Sequence, residues 1–368
     1  MAADGLPKSP WPYRLFPAAA IALVAAIALL GGDGGSLIGL VLTVALFPIL
    51  FGTVFASVHH AETIAERIGE PYGTLVLTLA VTTIEVALIV SIMLTGDSNP
   101  TMARDTVFAV FMIVCNGLVG ICILLGGLKY REQGFRVEGA GSYLSVLVAL
   151  VILTLVLPNF TLAVSGPLYS TGQLAFVSTV TLALYAVFLY IQTIRHQDYF
   201  VIPHRHGTDE APHARPSNAA TAMSFALLLV SIGGVVLLAK KFARVVDTGI
   251  EAIGAPDAVA GVLVAILILL PEGVAAMRAA RRDELQRSIN LALGSSLATI
   301  GLTVPAVAVV TIVLERNLIL GLDAKEEVLL ALTIFLSLLT FGTGRTNILF
   351  GFVHLVVFAT FVFLQFVP

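Results

Sequence analysis

Two glutamates, Glu85 and Glu272, stand near the middle of long apolar stretches in this 368-residue chain. An ionised carboxylate in hydrocarbon is costly, so two in matched settings point to a task rather than to packing. Each follows a turn by the same interval. Gly69-Glu70-Pro71 precedes Glu85, and Gly254-Ala255-Pro256-Asp257 precedes Glu272, with fifteen residues from each turn acid to the glutamate. A carboxylate that gives up a proton can take a hard cation in its place, and such cations select oxygen ligands. Glu85 and Glu272 are therefore the candidate metal and proton ligands.

Further oxygen donors lie close by in sequence. In Leu270-Pro271-Glu272-Gly273 the proline has no backbone donor and the glycine loosens the chain. The pair predicts a helix break that frees carbonyl oxygens beside Glu272. Thr82 and Thr83 precede Glu85 without a proline, and their hydroxyls either face an ion or bond back to the preceding turn. The next apolar segment of each half carries Asn116 in Cys115-Asn116-Gly117, and Ser295 and Ser296 after Gly294. Small residues allow close helix packing and polar ones can act as glue. Both readings stay open for Asn116, while two adjacent hydroxyls favour site lining for the serines. Glu62 and Asp247 close the helices before the two turns, either as acids that guide ions at the vestibules or as ordinary helix-end charges.

The elements that position these groups are membrane helices. The chain is 58% hydrophobic and 12% charged, with a mean hydropathy of +0.99; soluble domains run near ~25% charged. A net charge of −3 argues against nucleic acid as a partner. Cys115 and Cys122 read as reduced thiols within one apolar segment. No signal-peptide cleavage pattern is present, and the first apolar run, from about Leu15, is long enough to stay as a helix.

A crossing helix needs ~20 mostly apolar residues, which gives about eleven segments here. They fall near residues 15–30, 37–58, 72–94, 106–128, 143–157, 173–194, 219–239, 258–278, 289–313, 328–341 and 347–366. The second is expected to continue past the membrane core through Glu62 to Arg67. With the N-terminus inside, fourteen of the twenty Lys and Arg fall on the cytoplasmic side. Lys240, Lys241 and Arg244 are the group that fits this orientation least well. The polar stretch 196–218 holds His196, His204, His206 and His213 and reads as a cytoplasmic linker between halves.

Residues 1–35 then form an N-terminal segment with one helix, followed by five helices in 36–195, the linker 196–218, and five helices in 219–368. An odd number per half forces opposite membrane orientations, the arrangement of inverted repeats. The expected fold is an all-α polytopic membrane protein of about eleven helices, one N-terminal plus two inverted five-helix repeats.

From the second helix onward the chain resembles the Ca²⁺/cation antiporter superfamily in its cation/proton exchanger branch, most closely the ChaA-type bacterial antiporters. His60-Ala61-Glu62 with Arg67-Ile68-Gly69 is similar to the approach to the first repeat. Leu291–Pro305, LALGSSLATIGLTVP, resembles the Gly-Ser-Ser helix and is the most specific match. The resemblance implies that Glu85 and Glu272 exchange cation for proton. It implies that Glu62 and Asp247 are supporting acids, and that Asn116, Ser295 and Ser296 occupy polar site positions. The family's G-N-x-x-E motif is Val81-Thr82-Thr83-Ile84-Glu85 here, and Ile268-Leu269-Leu270-Pro271-Glu272 in the second half, so both asparagines are missing. The histidine that often follows the second glutamate is Gly273, and a glutamine after Gly-Ser-Ser is Ala298.

The expected activity is exchange of Ca²⁺, with Na⁺ or K⁺ as further or alternative cargo, for H⁺ by alternating access in a bacterial inner membrane. The N-terminus is expected in the cytoplasm and the C-terminus outside. The partners are the lipid bilayer, inorganic cations and protons, with no cofactor. A passive cation channel is the competing class. An enzyme is disfavoured, because the chain has no HEXXH zinc pair and no buried nucleophile with a nearby general base.

Overall fold

The computed structural model describes residues 11–30, 36–69, 72–93, 100–201, 216–256 and 258–367. The turn residues Glu70, Pro71 and Asp257 and the linker histidines His204, His206 and His213 lie outside them. Among the described residues the chain is a succession of eleven helical rods. They are α1 (Trp11–Leu30), α2 (Leu37–Ile68), α3 (Tyr72–Met93), α4 (Met102–Tyr130), α5 (Val137–Phe160) and α6 (Thr171–Arg195), then α7 (Asn218–Ile253), α8 (Ala258–Ala280), α9 (Leu285–Val313), α10 (Ala324–Phe341) and α11 (Ile348–Phe366). Nine of these are long and apolar enough to cross a membrane; α3 and α10 are the other two. The second helix does run on past its apolar part, to Ile68.

Large apolar side chains such as Phe335, Phe352 and Phe363 are exposed on the helix surfaces, while Thr53, Asn116, Ser296 and His354 are buried. In water that distribution would be unfavourable. In lipid it follows from the rule that polar groups must be satisfied inside the protein.

The chain divides into two compact units, and both draw on the two sequence halves. One comprises Met1–Ser98 with His206–Gly249, and the other Asn99–Arg205 with Ile250–Pro368. In the first unit α1 packs on α2, and α2 on α3. Ser36 caps α2 by accepting from the Gly39 N–H at 3.0 Å. The Thr53 hydroxyl bonds back to the Ile49 carbonyl at 2.6 Å and lies 3.2 Å from that of Phe16. Tyr13 stacks on His59 at 4.2 Å, and the His60 ring lies 3.0 Å from the Tyr13 carbonyl and 3.4 Å from the Ser224 hydroxyl. The Ser91 hydroxyl donates to the Val236 carbonyl at 3.0 Å, joining α3 to α7.

In the second unit α8 packs against both α4 and α9, and α11 against α4. Glycine permits the closest approaches. A β-carbon on Gly261 of α8 would lie 3.0 Å from the Asp105 and Thr106 backbone of α4. One on Gly351 of α11 would lie 3.0 Å from the Gly120 carbonyl and the Leu124 nitrogen. Such small-residue contacts let backbones approach where no hydrophobic effect drives association.

Each end of this unit is tied by polar contacts. At one end a short antiparallel ribbon pairs β1 (Glu132–Gly134) with β2 (Arg345–Asn347). There the Tyr130 hydroxyl donates to the Arg281 carbonyl and the Gln133 amide to that of Ala280, both at 3.1 Å. At the other end Arg104 donates to Asp105 at 2.8 Å and to the Gly321 carbonyl at 3.0 Å, and Thr101 donates to Asp105 at 2.7 Å. Lys129, Arg131 and Arg345 thus lie at the ribbon end of this unit and Arg104 at the other end.

The predicted helix break at Pro271 and Gly273 does not occur. The helix α8 is continuous from Ala258 to Ala280 with Pro271 inside it. A proline removes one backbone donor and leaves the other bonds of the helix intact, and neighbouring helices hold the rod in place. Its consequence is confined to the carbonyl four residues back, at Leu267.

Gly351→Val should lower the melting temperature of the detergent-solubilised protein by several degrees, because overpacking a tight contact costs about 1–3 kcal/mol. Gly233→Ala on α7, where a β-carbon meets nothing within 4 Å, should leave it unchanged or slightly higher. Thermal unfolding followed by size-exclusion chromatography checks both.

Candidate functional site

On α3 the side chains at 82, 85, 88 and 89 share one face by helical spacing. Glu85 is 2% exposed on that face, beside buried Thr82, Leu88 and Ile89. Thr83 points elsewhere: it is exposed, and its hydroxyl donates to the Leu79 carbonyl at 2.6 Å. Of the two threonines, then, Thr82 shares the glutamate's face and Thr83 bonds back to its own helix. Glu62 near the end of α2 and Asp247 near the end of α7 are both exposed. All five residues belong to the first unit.

Glu272 belongs to the second unit. It is half-buried on α8, and Ile268, Leu269 and Ala276, one turn away on either side, are buried. A β-carbon at the adjacent Gly273 would meet only Leu118 of α4, at 3.7 Å. The glycine is thus not required by close packing, and its helix surface faces a particular place on α4. That place is a π-helical turn, Ile113–Leu118, which contains Asn116.

A second π-helical turn, Thr299–Thr303, interrupts α9 just after Ser295 and Ser296. Both α4 and α9 are the helices that follow a glutamate-bearing helix. A π turn shifts the hydrogen-bond register by one residue and leaves a carbonyl to find another partner, which is why such turns recur at functional sites. These turns, rather than a break at Pro271, are where the regular backbone ladder is interrupted next to the candidate residues. No sequence signal marks them beyond the small and polar residues they contain.

Ser295 is half-buried and Ser296 is fully buried. The Ser296 hydroxyl oxygen meets no hydrogen-bond partner among the described residues, and the same holds for Thr303 seven residues on. An orphaned buried hydroxyl costs about 1–3 kcal/mol, which a bound water or an ion would offset. Asn116 is different. Its amide donates to the Thr333 hydroxyl of α10 at 2.8 Å, and its oxygen lies 3.1 Å from Nδ1 of His354 on α11. The amide is engaged in joining three helices, which is the packing role of the two left open by the sequence.

Among the described residues no three His, Cys, Asp or Glu side chains gather into a metal-sized cluster.

Comparison with known proteins bears on the class. The pattern of the sodium/calcium exchanger protein family matches residues 22–194 and 223–367. A protein of Sinorhizobium fredii named as an ionic transporter, y4hA, is 46% identical over 288 residues, covering 78% of each chain. The sodium-potassium/proton antiporter ChaA of Escherichia coli is 40% identical over 280 residues, covering 76% of each. The crystal structure of the Ca²⁺/H⁺ antiporter protein YfkE superposes with a TM-score of 0.71 at 18% identity, covering 97% of this chain and 99% of that one. The chain belongs to the sodium/calcium exchanger family, and is a cation antiporter of that fold.

Ser296→Ala should weaken cation-dependent transport, raising the half-saturating cation concentration about tenfold, the effect of one lost ligand or hydrogen bond near 1.4 kcal/mol. Thr83→Val should leave it within about twofold, since the hydroxyl serves only its own helix. Initial rates in everted vesicles against cation concentration distinguish the two.

Proposed function

We propose that the protein moves a cation in one direction and protons in the other by alternating access, with Glu85 and Glu272 as the shared carriers. The observation that carries the reading is Glu85, a carboxylate 2% exposed in the middle of an apolar helix of a cation antiporter. When deprotonated, the two carboxylates bind the cation; when protonated, they return without it and without a buried charge. Competition of both ions for the same oxygens couples the two gradients. Thr82, Ser295 and Ser296 supply neutral oxygens, and Glu62 and Asp247 attract cations at the vestibules. The two halves of the sequence, 36–195 and 219–368, act as inverted repeats, which lets one site be reached from either side in turn.

Ca²⁺ is the first candidate cargo, because two carboxylates neutralise a divalent ion. A monovalent reading stands beside it on a specific observation. Thr82 and Leu269 occupy the positions where the family motif has asparagines, so neutral ligands for Ca²⁺ are fewer. The 40%-identical relative from Escherichia coli is named for Na⁺, K⁺ and protons. The excess of Lys and Arg on one set of loops supports an inner-membrane orientation with the N-terminus in the cytoplasm.

Addition of Ca²⁺, Na⁺ or K⁺ to acid-loaded inside-out vesicles should dissipate the proton gradient, read with a pH-sensitive dye. Glu85→Gln and Glu272→Gln should each abolish that response, because a neutral amide can neither release a proton nor balance the cation. Full cation-driven proton movement in either variant would contradict the assignment. A wild-type response to Na⁺ or K⁺ but not to Ca²⁺ would select the monovalent reading.

A further inference from the structure

Among the buried titratable side chains of the second unit that transport does not use is a histidine. His354 on α11 is fully buried, and it lies at the centre of a polar chain that crosses three helices. The Thr340 hydroxyl of α10 lies 2.9 Å from its Nε2. Its Nδ1 lies 3.1 Å from the Asn116 oxygen. Beyond Asn116 the chain continues through the amide to the Thr333 hydroxyl at 2.8 Å, and from there to the Leu329 carbonyl at 2.7 Å. Thr333, Thr340 and Asn116 are each fully buried.

The direction of every bond follows from donors and acceptors. Both Cys115 and Asn116 belong to the π-helical turn of α4. The Asn116 amide nitrogen donates to Thr333, so the atom that faces Nδ1 is the amide oxygen, which can only accept, and that ring nitrogen must carry hydrogen. That fixes Nδ1 as the donor and leaves Nε2 as an acceptor for the Thr340 hydroxyl. The Asn116 oxygen then accepts from Nδ1, its amide donates to Thr333, and Thr333 donates to Leu329. All partners are satisfied with a neutral ring in one tautomer. The reverse arrangement would set the Asn116 oxygen against a bare nitrogen lone pair.

We propose that His354 is a positioning residue of the exchanger: as its neutral Nδ1–H tautomer it closes the π-helical turn of α4 and fixes the Asn116 amide within it. The turn matters for transport because its Leu118 lies against the surface of α8 at Gly273, next to Glu272. Holding the turn in one geometry holds that wall beside the carboxylate. A phenyl ring would fill the same space, yet it would leave the Asn116 oxygen without its donor. An asparagine at 354 could place its amide nitrogen near the Nδ1 position and restore the donor. The proposal rests on the exchange activity inferred above, so its test includes a reading that does not depend on transport.

That reading is ¹⁵N nuclear magnetic resonance of the full protein in lipid bilayers at neutral pH, with labelled histidine and the His354→Phe variant used to assign the ring. The expected result is a protonated Nδ1 and an unprotonated Nε2. Transport is read in parallel. His354→Phe should slow exchange about tenfold or more at unchanged protein level, a factor equal to one buried hydrogen bond near 1.4 kcal/mol. His354→Asn should recover to within about threefold of wild type, since it restores that donor. An Nε2–H tautomer would overturn the proposal, as would a His354→Phe protein that exchanges at the wild-type rate. If the phenylalanine variant fails to accumulate, Thr340→Val provides the assignment. It keeps the Asn116 oxygen and should keep the Nδ1–H signature, and a switch to Nε2–H there would equally overturn the proposal. A wild-type protein that exchanges no cation would sink the functional reading, while the tautomer would still decide this one.

Discussion

A polar group inside a bilayer finds its partner within the protein or carries a cost of several kcal/mol, and the organisation of this chain follows from that. Along the helices the rule is met by backbone ladders and by hydroxyls that bond back to their own turns, as at Thr83 and Thr53. Between helices it is met by glycine contacts that need no polar partner and by buried networks such as that of Asn116, Thr333 and His354. Two carboxylates, Glu85 and Glu272, sit where the rule is hardest to meet. In the proposed cycle a proton or a cation neutralises them in turn, so the constraint that organises the fold also bears on transport.

The second unit shows how such a site is held. The helix α8 carries Glu272 and packs against α4 and α9, and each of those has a π-helical turn at its polar residues. The two turns are treated differently. In α4 the interruption is filled by protein, with Asn116, Thr333 and His354 closing a satisfied chain. In α9 the buried hydroxyls of Ser296 and Thr303 remain without partners among the described residues. One turn is therefore closed by side chains, and the other keeps hydroxyl oxygens without a protein partner among the described residues.

Much of this was legible in the sequence. Helix number and approximate position follow from apolar segment length, which depends on local composition. That Glu85 and Glu272 stand inside apolar helices follows from the residues around them. The segregation of Lys129, Arg131 and Arg345 from Arg104 follows from loop charge. What was not legible depends on contacts between distant segments. Pro271 signalled a break, but packing against α4 and α9 keeps the rod continuous. Thr82 and Thr83 looked equivalent until helical phase placed one with the glutamate and the other outside. Asn116 could not be assigned without its partners, and His354, more than two hundred residues away, carries no local signal. The π-helical turns are likewise invisible, because a one-residue shift in hydrogen-bond register has no compositional signature.

The central claim is that proton and cation compete for the same buried carboxylates. Proton release by the purified protein in weakly buffered detergent solution, measured as cation is titrated in at several pH values, tests it directly. The account predicts that cation binding releases protons and that apparent affinity weakens about tenfold per pH unit of acidification for each proton released. Cation binding that releases no proton and keeps the same affinity across the pH range would contradict it.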